Sequence, residues 1–169
     1  MFLIRTSVAQ SEWIADFEFR ATGPERGGGN LQIWYTKEPA SIAQSSIYTV
    51  ERFDGMALVI DTHGGKGGGI RGFMNDGSTD YKSAAVDSLA FGHCDYAYRN
   101  LGRPSQIQIR QESNAFEVLV DHRRCFWSDK VSICRTLVSM SSLIFSIDKV
   151  AIWILFRHLS CVCRHSRLI

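Results

Sequence analysis

The sequence lacks the marks of several common function classes. Its 19 Lys and Arg against 17 Asp and Glu leave a formal charge of only +2 and are scattered along the chain. No basic stripe is present, and a nucleic-acid partner is not expected. The five cysteines, Cys94, Cys125, Cys134, Cys161 and Cys163, form no CxxC pair and have no His at zinc-finger spacing. A structural zinc module is not expected. There is no G-x-S-x-G, His63, His93 and His122 are well separated, and Asp61 and Asp87 show no sign of an acid–base pair. An enzyme is not indicated. The apolar start of MFLIRTSVAQSEW is too short for the h-region of a secretory signal, so the N-terminus does not disclose a compartment.

What is there fits one globular domain. A chain of 169 residues, 45% hydrophobic and 21% charged, can bury one core of ordinary size. Trp13, Ala15, Phe17 and Phe19 alternate with Ile14, Asp16, Glu18 and Arg20, the period of a half-buried strand. Turn residues over 23–29 break this run, and Leu31 to Thr36 restarts as a second strand, with Ile47 to Val50 a short third candidate. Met56 to Asp61 is a nearly continuous apolar run that predicts a strand buried on both faces and ending in an acid. Ile70 to Met74 precedes a turn signal at Asn75-Asp76-Gly77. Ser105 to Glu112 and Ala115 to Asp121 flank Ser113-Asn114 and predict a hairpin. Up to Val131 the pattern is all-β, with strands spaced as in a sandwich.

After Lys130 the punctuation stops. From Val131 to Ile169 there is no Gly and no Pro, and three of the five cysteines lie there. Apolar runs are interrupted by Asp148-Lys149, whose charges would be costly in the centre of a membrane span. The expectation is two units, residues 1–131 and an apolar, Cys-containing tail over 132–169. The tail is read as a buried helix or as a segment foreign to the rest of the fold, such as translated intron.

The stretch DTHGGKGGG, Asp61 to Gly69, is the chemically suggestive one. A phosphate loop fails on spacing, because Gly65-Lys66 is followed by Gly67 and not by Ser or Thr. A cation such as calcium would take oxygens from Asp61 and a flexible loop, with Asp76, Asp80 or Asp87 as further donors. The same residues also suit a solvated turn capped by an Asp.

Taken in order, WIADFEFRATGPERGGGNLQIWYTKE, ERFDGMALVIDTHGG, GFMNDGSTDY, FGHCDYAYRN and QIRQESNAFEVLVDHRRCF resemble the L-type lectin-like domain of eukaryotic ER–Golgi cargo receptors. The resemblance is to fungal-type relatives of the intermediate-compartment and vesicular integral-membrane mannose lectins, and covers about Trp13 to Val131. It implies a legume-lectin-like, concanavalin-type β-sandwich, incomplete here at both ends, with exposed sheet edges and poor folding of the isolated chain. It implies high-mannose N-glycan binding on secretory glycoproteins, commonly with calcium, on the lumenal side of a type I membrane protein, without catalysis. A membrane anchor and association with related lectins are expected of the family.

Residue by residue, Asp61 matches the calcium-binding Asp at the end of the family's buried strand, and His63 the residue that offers its carbonyl. Gly65 stands where a metal-binding Asn is usual. The downstream His and Asp align near Ser83 and either Val86 or Asp87, so Asp87 serves after a one-residue shift. Asn30 stands where a sugar-contacting Asp is usual, so Asn30 and Asp61 are the expected carbohydrate contacts and Asp61, His63 and Asp87 the expected metal ligands. Cys94 and Cys125 match the family's disulfide. The alternatives are a lectin-fold interaction module without metal or sugar, or the non-functional product of a truncated gene.

Overall fold

The computed structural model describes residues 7–8, 12–24, 30–36, 53–62, 67–81, 86–112, 115–129, 141–148 and 151–161. They form β1 (Ser7–Val8), β2 (Trp13–Thr22), β3 (Asn30–Thr36), β4 (Asp54–Asp61), β5 (Gly69–Asp76), a 3-10 turn (Val86–Leu89), β6 (Gly92–Asp95), β7 (Ser105–Glu112), β8 (Ala115–Val120), β9 (Arg123–Ser128), β10 (Ser141–Asp148) and β11 (Ala151–Cys161). One sheet runs β1-β10-β3-β4-β5-β6 and the other β11-β2-β7-β8-β9, and every pairing of strands is antiparallel.

The alternation of β2 does what its period requires. Trp13, Ala15, Phe17 and Phe19 point inward and are buried, while Ile14, Asp16 and Glu18 are half-exposed. They meet Leu31, Ile33 and Tyr35 of β3, Met56, Leu58 and Ile60 of β4, and the inner residues of β7 and β8 in one core between the sheets. β4 is buried along its length because its other face is covered too. Trp34, Ala57, Val59 and Phe73 form a second cluster there with Phe53 and Tyr81. Trp34 and Phe53 meet edge to face, with ring centroids 5.2 Å apart.

The 105–121 hairpin forms as expected, as β7 and β8. Between β8 and β9, Asp121 (φ 46°) and His122 (φ 64°) are both left-handed, the geometry of a two-residue hairpin loop. The disulfide Cys94–Cys125 joins β6 to β9 and so ties the two sheets together. The candidate strand over 47–50 lies outside the described residues.

For the described residues of the tail, the buried-helix alternative is corrected. Ser141–Asp148 and Ala151–Cys161 are strands, β10 lying against β3 and β11 against β2. The runs Leu143-Ile-Phe-Ser-Ile147 and Ala151-Ile-Trp-Ile-Leu-Phe156 are rich in β-branched and aromatic residues, which suit a pleated surface. β3 and β2 also offer each an open edge of backbone donors and acceptors, which a helix could not satisfy. Among the described residues no helix is long and apolar enough to cross a membrane.

Candidate carbohydrate site

The two expected sugar contacts are brought together by register. β3 begins where β4 ends, so Asn30 lies directly opposite Asp61, and Asp61 in turn lies opposite Gly69 at the start of β5. Opposed residues of an antiparallel pair share a face. Asn30 is half-exposed, whereas Asp61 is only 5% exposed.

Asp61 is not a bare carboxylate. The Arg71 guanidinium donates from Nη2 to its Oδ2 at 2.6 Å, and the two side chains are 11% and 7% exposed, Arg71 first. The contact is diagonal across β4 and β5. Gly69, the direct partner of Asp61, has no side chain, which leaves the residue two positions further along β5 free to reach back. Arg71 also lies over the Phe73 ring, 5.6 Å from its centroid. Both members of the pair make further interactions.

The glycine loop is shaped by close approach. Gly68 has φ +143°, and a Cβ there would stand 2.6 Å from both the Tyr96 carbonyl oxygen and the Tyr98 ring. Its carbonyl accepts the Tyr96 N–H at 2.9 Å, so the 96–98 segment lies directly on the loop. Burial pushes the Tyr98 phenol up; contacts with Arg99 oppose this, and the charge of nearby Asp61 adds to it.

A line of hydrogen bonds runs along the same face of β3. The Trp34 indole Nε1–H donates to Gln32 Oε1 at 3.0 Å, and Gln32 Nε2 donates to Asn30 Oδ1 at 3.0 Å. Trp34 and Gln32 are fully buried. Arg71, Gln32 and Trp34 were not singled out from sequence. The available signal was the polar Gln32 inside LQIWYT, two residues from Asn30 and two from Trp34, on one face of a strand.

Of the three expected metal ligands, Asp61 alone has a described side chain. His63 lies outside the described residues, and Asp87 is described only as backbone of the turn Val86–Leu89. Among the described residues no group of three His, Cys, Asp or Glu side chains is placed to hold an ion. Arg71 already occupies Oδ2 of Asp61, so an ion bound by Asp61 would share the carboxylate with a guanidinium.

A separate open cavity of about 590 Å³ lies beside the disulfide. Asp95, Tyr96, Arg103, Asp121, Arg123 and Arg124 line it, and none of Asn30, Asp61 or Arg71 does. Inside it Asp121 Oδ2 accepts from Tyr96 Oη and from Arg103 Nη2, both at 2.7 Å.

Comparison with known proteins agrees with this architecture. The legume-like lectin family model matches residues 2–143. Protein EMP47 of Saccharomyces cerevisiae is 26% identical over 121 residues, which cover 69% of this chain and 27% of that protein. The chain thus spans about a quarter of the length of this curated relative. The exoplasmic/lumenal domain of VIP36 in its Ca²⁺/Man3GlcNAc-bound form superposes with a TM-score of 0.75 at 17% identity, covering 95% of this chain and 74% of that one. The potassium-bound carbohydrate recognition domain of Emp46p gives 0.66 at 18% identity, over 89% and 70%. The sandwich, the disulfide and the matched residues together identify the chain as a member of the legume-like lectin family, a family of lectins and not of enzymes.

Proposed function

We propose that the chain is the lectin-like domain of a cargo receptor that binds high-mannose N-glycans on glycoproteins in ER-to-Golgi transport. The observation that carries this reading is the register that sets Asn30 against Asp61 at one end of a legume-lectin sheet. An amide and a carboxylate side by side supply donors and acceptors for sugar hydroxyls. The Man3GlcNAc-bound form of VIP36, a domain of the same fold, supports this ligand class. The Cys94–Cys125 disulfide suits an oxidising lumen.

Calcium at Asp61, His63 and Asp87 is the narrower part of the proposal, supported by the calcium-bound VIP36 domain and opposed by Arg71. A second reading is an interaction module of the same fold that has lost sugar binding and acts by association with a related lectin. The substitution-like Asn30, where a carboxylate is expected, favours it. Binding of the purified full chain to a high-mannose glycan array, with calcium or with chelator, separates these readings. Saturable binding supports the lectin, its loss in chelator supports the ion, and absence of binding under both conditions leaves the interaction module.

A further inference from the structure

The orientation of a side-chain amide is ordinarily ambiguous, because its oxygen and nitrogen look alike. Here a one-way donor removes the ambiguity. The Trp34 indole can only donate, so the end of the Gln32 amide that faces it at 3.0 Å is the oxygen. The Gln32 NH2 group is therefore turned the other way, toward Asn30, where it meets Oδ1 at 3.0 Å. By the same reasoning the Asn30 oxygen faces Gln32, so its NH2 group points away from Gln32. Gln32 and Trp34 are both 0% exposed, so no water can satisfy the reverse arrangement without leaving a buried group unpaired.

We infer that Trp34 and Gln32 are positioning residues that fix Asn30 as a hydrogen-bond donor beside the Asp61 acceptor. The inference rests on the lectin reading for its ligand. The site then has a set polarity: the sugar oxygen that meets Asn30 accepts, and the hydroxyl that meets Asp61 donates. A pair of neighbouring hydroxyls meets both demands at once. A carboxylate at position 30 would impose the opposite polarity on its half of the site.

Two measurements test this. In the ¹⁵N-labelled full chain, the Asn30 Nδ2 protons should exchange rapidly with water and the Gln32 Nε2 protons slowly. Slow exchange at Asn30 Nδ2 overturns the inference, and this readout needs no ligand. The second uses mannose probes with one hydroxyl replaced by hydrogen or by fluorine, since fluorine keeps acceptor character without a donor. At the position that meets Asn30, the deoxy probe should bind about tenfold more weakly than the parent, the loss of one hydrogen bond, and the fluoro probe within about threefold. Asn30→Asp, which still accepts from Gln32, should bind both probes equally weakly. Retention of the fluoro preference by Asn30→Asp overturns the inference. Gln32→Leu, if folded, should lose the preference, and keeping it also overturns the inference. If the chain binds no mannose probe, the lectin reading fails and the exchange rates alone decide the relay.

Discussion

Removing Arg71 should reveal how strongly the sheet end depends on its ion pair. In Arg71→Ala the carboxylate of Asp61, itself 7% exposed at the side chain, keeps its burial but loses the guanidinium 2.6 Å away. Breaking a buried pair from one side typically costs about 3–5 kcal/mol, since the remaining charge is left without compensation. The further partners of Asp61 moderate this, and the lost contact with Phe73 adds to it. We expect about 3 kcal/mol for Arg71→Ala. Asp61→Asn leaves the guanidinium a neutral acceptor and should cost about 2 kcal/mol. Urea unfolding of the oxidised chain, followed by the fluorescence of the buried Trp13 and Trp34, gives both values and that of the double variant. The double variant should be more stable than the sum of the singles by at least about 1.5 kcal/mol. Additive effects, with a coupling energy below about 0.5 kcal/mol, would refute the argument that the two charges hold each other.

Three further outcomes are expected. Replacing Cys94 and Cys125 by Ala removes a crosslink of sequence separation 31, worth about 3–4 kcal/mol on the loop-entropy model, and unchanged urea midpoints would contradict that. Burial alone would raise the Asp121 carboxyl, but hydrogen bonds from Arg103, the Gln106 backbone and Tyr96 bring it down to about 2. Because the folded value lies below the ordinary one, its stabilisation is present above about pH 4 and lost as pH falls toward 2. Given the exposure of Arg103, we put it at about 1 kcal/mol; an Asp121→Asn chain with the same acid limb as the parent would sink this. Gly92→Ala would set a Cβ 2.3 Å from Phe126 Cδ2 and should lower stability by about 1–3 kcal/mol, measured as a fall in melting temperature.

Much of the fold was legible because its signals are local. The alternation of 13–20 and the apolar run 56–61 report burial on one face and on two faces. The tail was not legible, since an apolar run such as 151–156 suits a helix or a strand equally, and only the open edge of β2 decides between them. Asn30 and Asp61 are candidates from the family pattern alone, and their juxtaposition needed register. Arg71 could not be anticipated, because an Arg in GIRGF looks like any solvated face residue until the glycine opposite Asp61 is paired with it. The polarity of Asn30 depends on a buried indole four residues away, which no spacing rule for binding residues includes.

The most direct test of a lectin role is calorimetric titration of the purified full chain with a high-mannose N-glycan, in parallel with Asp61→Asn. Saturable binding by the parent chain, lost or weakened at least tenfold in the variant, is expected. Equal heats for both, or no binding by a cooperatively folded parent chain with and without calcium, would contradict it.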